Sequence, residues 1–149
     1  MIHYSSTVTI ERSPHEVLAA LLDPEMYGQW TEMQDTRFDG SGPADVGTTG
    51  SFRMGGGPLK GVFRMELTDV QPDRRLAFHV THPKMDWVAI SDLEPVGPAT
   101  RLTYAGRIRL KGLWRLLEPL MAGEIRAGEA KEAERLKALL ESKAPVTTA

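Results

Sequence analysis

Few side chains in this sequence could carry chemistry, and their spacing narrows what that chemistry could be. There is no cysteine, which removes disulfides, thiolate metal sites and cysteine nucleophiles. The four histidines, His3, His15, His79 and His82, are scattered without the close spacing of a zinc site, so no metal is expected. No Gly-x-Ser-x-Gly elbow supports a serine hydrolase. The run Gly55-Gly56-Gly57-Pro58 is followed by no Gly-Lys-Ser/Thr and opens no helix, so it reads as a hairpin connection and not a phosphate cradle. A carboxylate, a phenol and a hydroxyl remain: Glu124, Tyr104 and Ser91. A carboxylate facing an apolar space has its pKa raised and can act as a general acid or base. Tyr104 and Ser91 can each donate a hydrogen bond to, or accept one from, a ligand. The alternative for Glu124 is a solvated position on a helix rim.

These residues must be positioned by the elements around them. Ile2, Tyr4, Ser6, Val8 and Ile10 alternate with polar residues, the pattern of a half-buried strand over 2–10, with His3 outward and exposed. Ser13-Pro14-His15-Glu16 combines an N-cap serine, proline in the first turn and a capping-box glutamate, which predicts a helix with Val17, Leu18, Leu21 and Leu22 on its apolar face. A second short helix follows over 24–30. Its Trp30 is either a core anchor or a ligand-stacking ring.

From Thr36 onward strands alternate with turns about every ten residues, which predicts an antiparallel meander covered on one face. Its inward face carries Phe52, Met54, Phe63, Met65, Leu67, Leu76, Phe78, Val80, Trp87, Ala89, Ser91, Leu93, Leu102, Tyr104, Gly106 and Ile108. Arg64 and Glu66 point outward and pair across strands; His79 is also outward. His82 and Asp86 flank a loop at the mouth of the sheet.

The longest helical pattern covers 112–142. Leu113, Leu116, Leu117, Leu120, Met121, Ile125, Leu136, Leu139 and Leu140 recur every three or four residues, while Gly123, Ala127, Gly128, Ala130 and Ala133 are small. A twisted sheet must cover its apolar face, and only this helix is long enough to do so. A curved sheet and a straight helix touch along one line and part elsewhere. The small residues therefore predict a space between them, with Leu117, Leu120, Met121, Glu124, Ile125 and Gly128 as the helical wall. Met54, Met65 and Met121 suit an adaptable apolar lining. Beyond Gly128, Leu136, Leu139 and Leu140 close the core, and the alternating charges Glu129, Lys131, Glu132, Glu134, Arg135 and Lys137 read as a solvated face.

Composition sets the broad class. The chain has 149 residues, 41% hydrophobic and 26% charged, with a formal net charge of -2. One domain over 1–143 and a disordered tail over 144–149 are expected. With no basic excess, nucleic acid is not an expected partner. No apolar run spans a bilayer and no signal peptide is evident, so a cytoplasmic protein is expected, as monomer or homodimer.

The order of these pieces resembles a known family. The helix opened by Ser-Pro-His-Glu-Val, the Asp-Pro-Glu…Trp30 stretch and Val46-Gly47-Thr48 come first. Val70-Gln71-Pro72-Asp73-Arg74-Arg75-Leu76, Gly97-Pro98-Ala99-Thr100-Arg101-Leu102 and the long last helix follow. Together they are similar to the START-like helix-grip (SRPBCC) superfamily, and within it to the polyketide cyclase/dehydrase-like proteins. Pro98-Ala99 departs from the family's Gly-x-Gly-Thr turn, which alters a turn and no site. The resemblance implies an α+β helix-grip fold: a curved antiparallel sheet wrapped around a long C-terminal helix, with a short N-terminal helix pair. It also implies a hydrophobic small-molecule partner (a lipid, polyketide-like or isoprenoid molecule) held between sheet and helix, and no cofactor. The ligand-binding set expected is Phe52, Met54, Phe63, Met65, Leu67, Phe78, Val80, Trp87, Ala89, Ser91, Tyr104, Ile108, Leu117, Met121, Glu124 and Ile125. The alternative is a cyclase/dehydratase-type enzyme whose acid or base is Glu124, assisted by Tyr104 and Ser91. A protein-binding module ranks below both, because it needs a large exposed apolar patch.

Overall fold

A computed structural model describes residues 1–55 and 59–143. Most of the predicted glycine connection and the tail over 144–149 therefore lie outside the described residues. Seven antiparallel strands form a single sheet: β1 (Ile2–Ile10), β2 (Gln34–Phe38), β3 (Thr49–Met54), β4 (Gly61–Gln71), β5 (Arg75–His82), β6 (Met85–Val96) and β7 (Ala99–Leu110), in the order β1-β7-β6-β5-β4-β3-β2. Between β1 and β2 lie α1 (Pro14–Leu21), a 3₁₀ turn (Pro24–Met26) and the single-turn helix α2 (Tyr27–Trp30). A 3₁₀ segment (Gly112–Leu117) leads into α3 (Glu118–Ser142). This is the helix-grip architecture: a curved sheet, a long C-terminal helix and a short N-terminal helix pair.

Local chemistry accounts for most of these boundaries. The Ser13 hydroxyl accepts from the Glu16 N–H at 3.3 Å and caps α1. Asp23 caps the 3₁₀ turn by accepting from the Glu25 N–H at 3.0 Å. The β6–β7 hairpin closes through a two-residue turn in which Gly97 takes φ +59°, a conformation open to glycine without strain. Strand β2 is the element that alternation in the sequence does not reveal. It is short, mostly exposed, and interrupted by a bulge between Gln34 and Arg37 where Asp35 takes φ 52°.

Helix α3 runs along β1, an edge strand of the sheet, and is fastened to its backbone. Arg126 Nε donates to the His3 carbonyl at 2.8 Å, Lys137 Nζ to the Thr9 carbonyl at 2.5 Å, and the Glu11 N–H donates to Glu141 Oε2 at 2.8 Å. At the start of the helix, the Leu110 N–H donates to Glu118 Oε1 at 2.9 Å. Lys137 also pairs with Glu141 at 2.7 Å, a favourable one-turn spacing. Ala133, Leu136 and Leu140 are buried in the core with Ile2, Ile10, Val17, Leu21, Trp30 and Leu102.

Two readings of this helix need correction. Leu113, Leu116 and Leu120 face solvent at 84%, 75% and 79% exposure and do not belong to the inward face. Residues 112–117 wind as a 3₁₀ segment at three residues per turn, which shifts the phase of the stripe. Leu120 then lies roughly 160° around α3 from Leu136 at about 100° per residue, on the opposite side. The small residues also divide by role. Ala127 and Gly128 border open space, Ala133 is fully buried, and an added Cβ at Gly123 or Gly128 meets nothing within 4 Å.

Gly106, expected to leave room in the sheet, is a point of close approach. It pairs with Tyr4 across the β1–β7 ladder, and a Cβ there would run into the Tyr4 hydroxyl and the Val88 carbonyl. Opposite outcomes should follow at two glycines. Gly106→Ala should lower stability by about 1–3 kcal/mol through overpacking. Gly128→Ala should raise it by about 1 kcal/mol through helix propensity. Urea unfolding of the two variants beside the parent chain checks both signs.

Candidate functional site

The close packing of α3 is with β1, β7 and α2, so its first half stands away from the middle of the sheet. A cavity of about 490 Å³ occupies the gap. Its sheet wall is Met54, Phe63, Met85, Trp87 and Ile108. Its helical wall runs from Glu124 and Ile125 through Ala127 and Gly128 to Glu129, Glu132 and Arg135. Glu32, Met33 and Leu59 border it from the connections after α2 and β3. A much smaller space of about 30 Å³ continues under α2, bounded by Trp30, Thr36, Phe52, Met65, Phe78, Ala89, Ser91 and Tyr104. Met33 and Trp87 border both spaces.

Aromatic packing stiffens these walls. Phe52 and Phe63 stack with ring centroids 5.1 Å apart, and Trp87 meets Phe52 edge-on at 6.5 Å. Phe63 also stacks on His82 at 4.4 Å. The Lys84 N–H reaches His82 Nδ1 at 3.1 Å, and His82 Nε2 lies 3.2 Å from the Lys60 carbonyl. These partners fit a neutral ring protonated on Nε2.

A polar cluster sits where α3 closes onto the sheet. Tyr104 Oη donates to Glu132 Oε2 at 3.0 Å. Glu132 and Glu129 are hydrogen-bonded to each other, one turn apart on the inner side of α3. Trp87 Nε1 donates to Tyr4 Oη at 2.9 Å. Burial is the main force on every ionisable member of the cluster. It pushes the Glu129 carboxyl up to about 9, with the neighbouring Glu132 carboxylate adding to the rise. Burial also raises Glu132, against the opposing hydrogen bonds from Glu129 and Tyr104. Tyr4, Tyr27 and Tyr104 are raised for the same reason and stay neutral. Glu129 is 9% exposed, and its Oε2 has no partner among the described residues. Trp30 Nε1 and Thr36 Oγ1, on the small space, are likewise without partners there.

Comparison with known proteins agrees with this geometry. Residues 1–141 match the family described as polyketide cyclase / dehydrase and lipid transport. The chain belongs to that family. Its members' fold recurs in a START superfamily protein from Mycobacterium smegmatis, which is 16% identical with a TM-score of 0.77 over 95% of this chain and 99% of the other. The Aha1 dimer from Colwellia psychrerythraea is 20% identical, with a TM-score of 0.70 over 95% and 97%. A protein from Rhizobium loti is 25% identical, with a TM-score of 0.64 over 92% and 96%. No curated protein matches the sequence.

The family's helix-grip cavity gathers only part of the set expected from sequence. Met54, Phe63, Trp87, Ile108, Glu124 and Ile125 border the large space; Phe52, Met65, Phe78, Val80, Ala89, Ser91 and Tyr104 border the small one. Leu67 is buried in the core, and Leu117 and Met121 pack against the core without bordering either space. The trio Glu124, Tyr104 and Ser91 does not come together. Glu124 is exposed at the rim of the large space, and the carboxylate on Tyr104 is Glu132. Glu129 and Glu132 are not on a solvated face.

Spacing could have located both residues. Glu129 lies four residues before the buried Ala133 and seven before Leu136, and Glu132 lies four before Leu136. His82 and Asp86 flank the β5–β6 turn, and Asp86 pairs with His79 at 2.7 Å. Arg64 pairs with Asp39, just beyond β2, at 3.2 Å.

The buried acid makes stability depend on pH. Folded, Glu129 keeps its proton up to about 9; unfolded, it ionises near the ordinary value of 4.5. Between these values the folded chain holds the extra proton, so its contribution is intact below the lower value and is lost as pH rises toward the upper one. Glu129→Gln should therefore melt several degrees above the parent at about pH 8, with the gap narrowing toward about pH 5. A gap that widens on acidification would contradict the assignment.

Proposed function

We propose that this protein binds, and in binding carries, a hydrophobic small molecule between its sheet and α3. Candidate ligands are a lipid, a polyketide-like aromatic or an isoprenoid. The observation that carries the reading is the cavity of about 490 Å³ with Met54, Phe63, Met85, Trp87, Ile108 and Ile125 on its walls. Space of this size with flexible apolar walls suits a molecule whose body is held mainly by burial, although six charged side chains also border it. Membership in a family whose description includes lipid transport supports it. Among the described residues no helix is long and apolar enough to cross a membrane. We take the protein to act in the cytoplasm, as a monomer or a homodimer.

A second reading, acid–base chemistry of the cyclase/dehydratase type, is favoured by the protonated Glu129 held against Glu132 and Tyr104 at the cavity wall. On that reading Glu129→Gln abolishes turnover and spares ligand binding.

Native mass spectrometry after mild extraction tests the first reading, with a bound apolar molecule expected. Gly128→Phe would fill the cavity from the helical side, where a new side chain meets open space. It should remove the bound mass and leave the melting temperature close to the parent's. A parent chain that carries no ligand and takes up no added apolar probe would end the proposal.

A further inference from the structure

The Glu129–Glu132 pair specifies the cavity's ligand more narrowly than its apolar walls do. Four carboxylates border the space, Glu32, Glu124, Glu129 and Glu132, against two cationic side chains, Lys131 and Arg135. Glu32 and Arg135 also face Glu132 electrostatically, the first opposing and the second favouring its ionisation. Two of the nearby donors are spent, Tyr104 Oη on Glu132 at 3.0 Å and Trp87 Nε1 on Tyr4 at 2.9 Å. Two carboxyl groups sharing one proton retain one negative charge. The Glu129 Oε2 atom, on a residue that is 9% exposed and borders the cavity, has no donor among the described residues. A buried acceptor without a partner is costly, and a buried charge without a partner more so.

We propose that Glu129 and Glu132 are the polar anchor of this cavity and that its ligand is an apolar molecule bearing a protonated nitrogen, a lipophilic amine. The inference rests on the binding function proposed above and names its ligand class. An ammonium group supplies the N–H that Glu129 Oε2 lacks and neutralises the charge of the pair. An alcohol supplies only the hydrogen bond. A carboxylate supplies neither and is repelled. Charge-assisted hydrogen bonds are roughly twice as strong as neutral ones, which sets the order amine, alcohol, acid.

Three probes that share one apolar body separate these cases: naphthalenemethylamine, naphthalenemethanol and naphthoic acid, each titrated by calorimetry into the full chain. The amine should bind at least about tenfold more tightly than the alcohol, and the acid most weakly. In the double variant Glu129→Gln/Glu132→Gln, in which the pair carries no charge, the amine should fall to the affinity of the alcohol, while the alcohol itself changes little. Glu132→Gln should act in the same direction. Unchanged alcohol binding in either variant also shows that the cavity is still folded. Alcohol or acid binding as tight as the amine would overturn the amine assignment and leave the apolar-ligand reading standing. An amine preference that survives both substitutions would overturn the anchor. Failure of all three probes to bind would overturn the binding function and this inference with it.

Discussion

The attachment of α3 to β1 governs the rest of the architecture. Side chains of the helix reach the backbone of one edge strand at His3 and Thr9, and that of Glu11 just beyond it, so helix and strand run side by side. The sheet is twisted and curls away from that line, because twist accumulates from strand to strand. Contact is tight at one end, where Ala133, Leu136 and Leu140 enter the core, and open at the other, beside Ala127 and Gly128. The cavity follows from holding a straight element against a curved one at a single margin. Larger side chains at Ala127 and Gly128 would fill it from the helical side.

The polar groups inside that space are held under opposing demands. Glu129 and Glu132 sit on the helix stripe that carries Ala133 and Leu136, where most proteins place apolar residues. Burial makes ionisation of both unfavourable, and the chain answers with a shared hydrogen bond and the Tyr104 phenol. An apolar isostere on the same backbone would stabilise the fold at neutral pH. Retention of two acids at such a cost fits a part in recognition or chemistry better than a part in stability.

Much of the fold was legible because it is written in local pattern. Alternation along Phe63, Met65 and Leu67 fixes the inward face of β4. Ser13-Pro14 with Glu16 fixes the start of α1. The bulged β2 escaped because Asp35 breaks its alternation. Leu113, Leu116 and Leu120 were misplaced because their spacing fits an α-helix, whereas the first of them wind in a 3₁₀ segment of different phase. Gly106 was read as open space because a glycine does not say whether its missing side chain leaves a void or admits a neighbour; here the neighbour is Tyr4.

By itself the sequence determined the strands, the helices, the turns and which of their faces are apolar, because period, caps and turns are short-range properties; its resemblance to the family implied the helix-grip fold. Only the tertiary structure decided which carboxylates meet the cavity. Spacing left Glu124 open between an inward carboxylate and a solvated rim position and put Glu129 and Glu132 outside, whereas the phase of α3 against β1 and β7 places the last two beside Tyr104 and leaves Glu124 at the rim. That phase is set by contacts more than a hundred residues apart in the chain, such as Arg126 to His3 and Lys137 to Thr9. No local pattern encodes it.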